Sequence, residues 1–420
     1  MNNNNLQKIK ILLLLGPYEN FYPEMLAKRL NSFLIGLDNN WKIFALTRQI
    51  YNESIVSKYL NCQFKIIEVP SLLPLKYELG WMFSIKNLFG YFTYLISSII
   101  YGIKIINKEN INVVYMRNNF VQLMLVIYII SKITKRKCIC RISADFLIPL
   151  IYFLKETNNF LLNKNIILKI ISLIYRKLEI IIITRCDMIV THSPMDYKKF
   201  KKITNKIKFI PLWVDTTKFK YIKNKKHIEK FKNKLINNNK DKVILFVGRY
   251  HPEKGIGTLL KAFQIIYNKY DNISLILIGS GDYMEIYKKM ARNLKIYKKT
   301  YFLGYISHYE LPIYYNISDL FILPSLREAW SVSLMEALAC KIPSIVTNTG
   351  ANPYLIVEQE TGFLIPPRNS KILAEKIEFV LENPLLSKKV SDNALKMIKK
   401  YDIKKIGELH KSVIKNLLAH

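Results

Sequence analysis

The sequence predicts an α/β protein of two Rossmann-like, doubly wound domains facing a central cleft. Three observations lead there. The chain has 420 residues, room for two or three domains of ordinary size. Half of its residues are hydrophobic and 23% are charged, enough apolar side chain for two cores. Short apolar, β-rich runs alternate with longer helix-like segments throughout, the pattern of parallel sheets covered by helices. Such sheets take ligands at the carboxyl ends of their strands.

The expected strands of the first half are Ile9–Leu15, Trp41–Leu46, Phe64–Glu68, Asn112–Met116, Cys138–Ser143 and Met188–Thr191. Helix-like stretches, among them Pro23–Leu37, lie between them. The second half offers Lys208–Pro211, Val243–Val247, Ser274–Ile278, Thr300–Leu303, Leu320–Leu323, Ser344–Thr347 and Gly362–Ile365. After Val243–Val247, Ile256, Leu259, Leu260, Phe263 and Tyr267 recur at helical spacing and form one apolar face. The boundary is placed near Ile203–Thr217. This gives a first domain over 1–203, a second over 204–400, and a closing helix over 401–420 that packs back on the first.

Charge and cysteine content narrow the classes. A formal net charge of +33 suits an acidic partner: nucleic acid, an anionic membrane surface or a phosphorylated substrate. The same excess fits a bias toward Lys, Asn, Ile and Tyr at every solvated position, so charge alone names no partner. Five cysteines without paired spacing make no disulfide framework, and the six histidines do not fall at zinc-ligand spacing. A reducing, cytoplasmic compartment and no structural metal are expected. Cys138 and Cys140, two apart, share one face of their strand. The apolar stretch Ile11–Leu15 is short for a signal-peptide core and reads as a buried strand. The uncharged run Asn87–Ile103 is interrupted by small polar residues, and Ile166–Thr184 carries Lys169, Arg176, Lys177 and Glu179. Both suit buried or membrane-surface helices better than spans.

Two segments carry chemistry. In Val247-Gly248-Arg249-Tyr250-His251-Pro252-Glu253-Lys254-Gly255 a strand ends, a loop carries two cations, and a helix starts near Gly255 or Gly257. Helix N-termini attract anions, so Arg249 and Lys254 are placed to clamp a diphosphate. A tight βα turn with two solvated cations is the other reading. No Gly-Lys-Ser/Thr P-loop is present. In the second segment, Leu323 to Cys340, Glu328 falls in a loop and Glu336 in the first turns of a helix. A carboxylate suits the vicinal hydroxyls of a sugar. Ser333-x-x-Glu336 is equally a capping box that closes the helix start.

Together, Gly-Arg-x4-Lys-Gly followed by Pro-Ser…Glu-x7-Glu-Ala resembles the retaining GT-B glycosyltransferases of family 4. The resemblance continues through Ile210-Pro211…Val214-Asp215, Phe302-Leu303-Gly304, Ser318–Ser325, Thr347–Pro353 and Glu360–Pro367, and so covers the second half in order. It implies that Arg249 and Lys254 bind the diphosphate of a nucleotide-sugar donor and stabilise the leaving group. Glu328 would meet the donor sugar, and Glu336 the ribose. Backbone N–H groups around Trp330, Ser331 and Val332 would meet sugar and phosphate oxygens. No divalent metal or other cofactor is implied, since the two cations supply the charge. The sugar would transfer with retention by front-face attack.

Departures and the weaker first half bear on specificity. Glu328-Ala329-Trp330-Ser331 stands where the family often has Glu-Gly-Phe-Gly, and Lys341 where a glycine is common. Only Gly16-Pro17 represents the usual glycine-rich first loop, and no histidine follows Cys138–Ser143. Asp145 is a candidate for acting on the acceptor, with helix capping as its plainer role; Arg117 is either cleft-facing or ion-paired. His192 and His251 are assigned to local hydrogen bonding. The aromatic stretch Trp81, Phe83, Phe89, Tyr91, Phe92 and Tyr94, edged by Lys86 and Lys104, suits a helix on an anionic membrane. The expected acceptor is thus a lipid-linked saccharide or polysaccharide precursor at the inner membrane face. Two other classes are a basic nucleic-acid-binding protein, which lacks any recognition motif, and an inactive GT-B partner, against which the intact cations and glutamates argue.

Overall fold

A computed structural model describes residues 9–14, 41–47, 63–69, 85–116, 121–142, 164–236, 238 and 240–419. The chain divides into two units, Met1–Pro211 with Lys404–His420, and Leu212–Ile403.

The first unit is built on β1 (Lys10–Leu14), β2 (Lys42–Thr47), β3 (Gln63–Glu68), β4 (Val113–Met116), β5 (Lys137–Ile142), β6 (Met188–Thr191) and β7 (Ile207–Phe209). These pair in the order β3-β2-β1-β4-β5-β6-β7, every pair parallel. One face of the sheet, including Leu12, Leu14, Val114, Met116 and both Cys138 and Cys140, forms a core with helices. Those helices are α1 (Ile85–Glu109), α2 (Val121–Thr134), α3 (Lys164–Arg185) and α4 (Pro194–Lys201). Parallel strands buried on both faces need near-continuous apolar runs, and β1 has them, from Ile11 to Leu14. The Cys140 and Cys186 sulfurs lie 3.2 Å apart as free thiols; the hydrogen bond from Cys186 pulls the Cys140 pKa down, but burial and nearby charge together outweigh it, and both thiols end above the ordinary thiol pKa.

The second unit repeats the topology. Its strands are β8 (Lys242–Val247), β9 (Ile273–Ile278), β10 (Thr300–Gly304), β11 (Leu320–Leu323), β12 (Ser344–Thr347) and β13 (Phe363–Ile365), in the order β10-β9-β8-β11-β12-β13. Its helices are α5 (Lys225–Leu235), α6 (Ile256–Tyr267), α7 (Met284–Asn293), α8 (Leu311–Asn316), α9 (Val332–Ala339), α10 (Asn352–Leu355), α11 (Ser370–Glu382) and α12 (Pro384–Ile398). A last helix, α13 (Ile403–Ala419), runs into the part of the chain that belongs to the first unit. The apolar face expected on α6 is the buried one, carrying Ile256, Leu259, Leu260 and Phe263. Both sheets reverse strand order beside their first strand, which opens a crevice at the carboxyl end, between β8 and β11 in the second unit.

Every expected strand is present, with ends within two residues of those read from the sequence. One was assigned to the wrong domain: Ile207–Phe209 pairs with β6 and closes the first sheet, so the units part at Pro211 rather than after residue 203. Its short apolar run carries no mark of which sheet it joins. On α1, Tyr94 points into the core, whereas Phe92, Ile96 and Ile100 are exposed. No helix among the described residues is long and apolar enough to cross a membrane. Pro23–Leu37, Gly16-Pro17, Trp81, Phe83, Arg117 and Asp145 lie outside the described residues, as do the side chains of Lys86, Phe89 and Tyr91.

Carboxylates stitch the amino edge of the second sheet. Asp241, fully buried before β8, accepts from Ser274 Oγ on β9 at 2.5 Å and from Lys299 Nζ ahead of β10 at 2.7 Å. Asp319, ahead of β11, accepts the Val243 N–H at 2.9 Å. Removing the cation should strand a buried charge. Lys299→Met is expected to lower unfolding free energy by about 3 kcal/mol, read as a shift in the urea midpoint at unchanged slope.

Candidate functional site

The loops after β8, β10 and β11 all leave the carboxyl edge of the second sheet, and each expected site residue of this unit sits on or just after one of them. After β8, Gly248 and Tyr250 are tied back by N–H bonds to Ile278 O at 3.0 Å and Ser280 O at 2.9 Å. Tyr250 is buried and donates its hydroxyl to Leu277 O at 3.0 Å. That anchoring turns Arg249 outward, and its side chain is exposed. His251 then caps a 3₁₀ turn, Pro252–Lys254, its Nδ1 accepting the Glu253 N–H at 3.3 Å. Burial, and next the positive charge of Arg249, hold this imidazole below its usual pKa. It serves the backbone, as the sequence reading assigns it.

Gly255 ends the turn and begins α6 with φ +70°, a left-handed conformation suited to glycine. A Cβ there would stand 1.9 Å from Pro324 O, in the loop after β11. The same two loops are joined by the Leu326 N–H, which donates to Glu253 O at 2.7 Å. This approach brings Lys254 and Glu328 together: Nζ and Oε1 lie 2.5 Å apart, with side chains 23% and 8% exposed. Ser325 Oγ donates to the same Glu328 oxygen at 3.0 Å. Two residues expected to touch different parts of one ligand therefore form a single ion pair.

Glu328 is held from behind as well. Its carbonyl accepts the Ala351 N–H at 3.2 Å, and Gly350, at φ +56°, presses so close that a Cβ would meet that carbonyl oxygen at 1.4 Å. Thr347 Oγ1 donates to Ser325 O at 2.5 Å. The Thr347–Pro353 stretch is thus the back wall of the Glu328 loop, a role the sequence reading left unassigned.

Glu336 belongs to a second cluster. The helix it sits on is capped by Ser331, whose Oγ accepts the Leu334 N–H at 3.2 Å, so the capping box read from Ser333 and Glu336 is not formed. The hydroxyl two residues earlier took the cap, and Glu336 moved past the first turn. Its carboxylate, 4% exposed, accepts from Tyr315 OH at 2.9 Å and lies 2.8 Å from His308 Nε2. Lys218 Nζ stands 3.1 Å from His308 Nδ1. Burial and the Glu336 charge push the Tyr315 phenol well up, so it remains a donor. Lys218, His308 and Tyr315 escaped the sequence reading because Lys218 lies ninety residues before His308, and the His308–Tyr315 stretch is itself remote from Glu336.

Of the other expected residues, Trp330 is 5% exposed, its indole N–H donating to Met335 Sδ at 3.0 Å and its ring against Tyr401. Ser331 and Val332 form the N-terminus of α9, where first-turn N–H groups lack intrahelical partners. Lys341, where a glycine is common in the family the sequence resembles, has φ 64° just beyond α9, and its ammonium pairs with Asp392 at 2.6 Å.

Gly350→Ala forces a Cβ onto the Glu328 carbonyl in a left-handed conformation. It should cost about 2 kcal/mol or more, a fall of roughly 4–8 °C in Tm by calorimetry.

A family model described as glycosyl transferases group 1 matches residues 227–397. Among curated proteins, the chain is 32% identical over 184 residues to an uncharacterized glycosyltransferase of Haemophilus influenzae, covering 44% of this chain and 51% of that one. It is 32% identical over 185 residues to the capsular polysaccharide biosynthesis glycosyltransferase CapM of Staphylococcus aureus, covering 42% and 45%. The chain thus spans about half the length of the curated relatives it matches. Among solved structures, HepE of Anabaena in complex with UDP superposes with a TM-score of 0.73 at 15% identity, covering 97% of this chain and 100% of that one. The two parallel sheets with their flanking helices form the GT-B fold, and the stretch that the glycosyl transferases group 1 model matches lies wholly within the second unit.

Proposed function

We propose that the protein transfers a sugar from a nucleoside-diphosphate sugar to a lipid-linked saccharide or polysaccharide precursor, with retention and without a metal, as a peripheral enzyme at the inner membrane face. The observation that carries this reading is the joining of the β8 and β11 loops. It sets the exposed Arg249 and the Lys254–Glu328 pair at the carboxyl edge of the second sheet, beside the N-termini of α6 and α9. Cations and helix N-termini suit a diphosphate, and a fixed carboxylate suits sugar hydroxyls. In this arrangement Arg249 and Lys254 carry the leaving-group charge that a divalent ion would otherwise carry. Glu328 faces the sugar and Glu336 the ribose. The HepE structure holds UDP, and CapM takes its name from capsular polysaccharide biosynthesis; both accord with such a donor and acceptor.

The membrane placement rests on the helices of the first unit. α2 packs between α1 and α3. On α1, Phe92, Ile96 and Ile100 are exposed at helical spacing and lead into exposed Lys104 and Lys108; on α3, Leu173, Ile174 and Leu178 are exposed beside Arg176 and Lys177. Apolar side chains among cations match a surface of anionic lipid.

Arg249→Ala should weaken nucleoside-diphosphate binding about ten- to hundredfold, by loss of a charge-assisted contact. Calorimetry with UDP, GDP, ADP and their sugars in EDTA reads this, and absence of binding by folded protein counts against the donor site. For the membrane, the protein should sediment with anionic vesicles at low salt. Phe92→Ser with Ile100→Ser should lower that partitioning at least about tenfold. Sedimentation indifferent to lipid charge rules the placement out.

A further inference from the structure

We propose that His308, oriented by Lys218, is the positioning residue that aims Glu336 at the ribose hydroxyls of the donor; this rests on the donor site described above. An ammonium has hydrogens to give and no lone pair, so across the 3.1 Å contact Lys218 Nζ donates and His308 Nδ1 accepts. The ring proton is then on Nε2, which donates to Glu336 Oε1 at 2.8 Å. Tyr315 OH donates to Oε2 at 2.9 Å. Each carboxylate oxygen is thereby held by one neutral donor.

A carboxylate offers about four lone-pair sites. His308 and Tyr315 each use one of these, on different oxygens, so neither donor takes both sites of the oxygen that a hydroxyl of a vicinal diol would meet. An ammonium placed directly against Glu336 would compete with the ligand for the same oxygens as a full charge. The interposed imidazole keeps that charge one ring away and still fixes the carboxylate. His308 is itself fixed: Phe219 packs on the ring at 4.8 Å between centroids, and the Lys218 ammonium lies 3.6 Å from the Tyr309 ring centre. The imidazole side chain is 20% exposed and Glu336 4%, so the contact between them is largely shielded from solvent.

The test compares ribo- with 2′-deoxyribonucleoside diphosphates by calorimetry, using UDP, GDP and ADP beside their 2′-deoxy counterparts. The wild type should prefer the ribo form by about tenfold or more. Glu336→Gln and His308→Leu should each remove most of that preference, and the double variant should lose no more than either alone. His308→Gln should retain it, because an amide supplies the same acceptor for Lys218 and donor for Glu336. Arg249→Ala should weaken both forms alike and leave the ratio unchanged. A ratio that survives His308→Leu but not Glu336→Gln overturns the positioning role while sparing the donor site. A wild type without ribo preference, a ratio indifferent to Glu336→Gln, or no binding at all by folded protein overturns the ribose reading and this inference with it. Should His308→Leu fail to fold, Lys218→Met leaves the ring in place and decides the matter. A several-fold fall in the ratio supports the relay, and an unchanged ratio refutes it.

Discussion

The backbone contact between the loops after β8 and β11 is the constraint on which the site depends. Pro324 O approaches Gly255 so closely that no side chain fits, and the Leu326–Glu253 hydrogen bond closes the same seam. The parallel pairing of β8 with β11 brings two remote stretches to one edge, and the left-handed glycine lets them touch. Lys254 meets Glu328 because their loops are welded, not because the ion pair holds them, since the desolvation of a largely buried pair offsets most of its attraction. The Thr347–Gly350 wall then fixes Glu328 from the other side.

Charge is distributed unevenly over this frame. Lys254 is answered by Glu328, and Glu336 by two neutral donors with a cation behind one of them. Arg249 is exposed at the strand end, and His251 beside it is held below its usual pKa first by burial and then by that charge. An arriving anion therefore finds one cation facing solvent and another already bridged to a carboxylate. The amino edge of the same sheet is the opposite case. Asp241 and Asp319 are spent on joining strands there.

Much of this was legible in the residues. Strands in parallel sheets are continuous apolar runs bounded by polar turns, so all of those in the described residues were located. The cations and glutamates were legible because Gly-Arg-x4-Lys-Gly and Glu-x7-Glu together resemble a family pattern, whereas local pattern alone left plainer roles open, in a turn or a helix cap. Less visible was anything decided by packing between distant segments. Ser331 rather than Ser333 capped α9, since both hydroxyls satisfy the same local rule. The His308 cluster draws on the stretch before α5, the loop after β10 and two helices, and Ile207–Phe209 joined the first sheet though local pattern left it with the second.

The second unit begins and ends at nearly the same point. Val214 pairs with Asp402, its N–H donating to Tyr401 O at 3.0 Å and its carbonyl accepting from Ile403 at 3.0 Å, while Thr216 hydrogen-bonds to the Asp402 carboxylate. The unit is thus an insertion whose mouth is already sewn shut. Joining two ends that are held side by side adds little loop-closure entropy. Residues 212–403 therefore have the form of a cassette, transferable between scaffolds through one pair of adjacent splice points, and a circular permutant joined at that mouth would need only a short bridge.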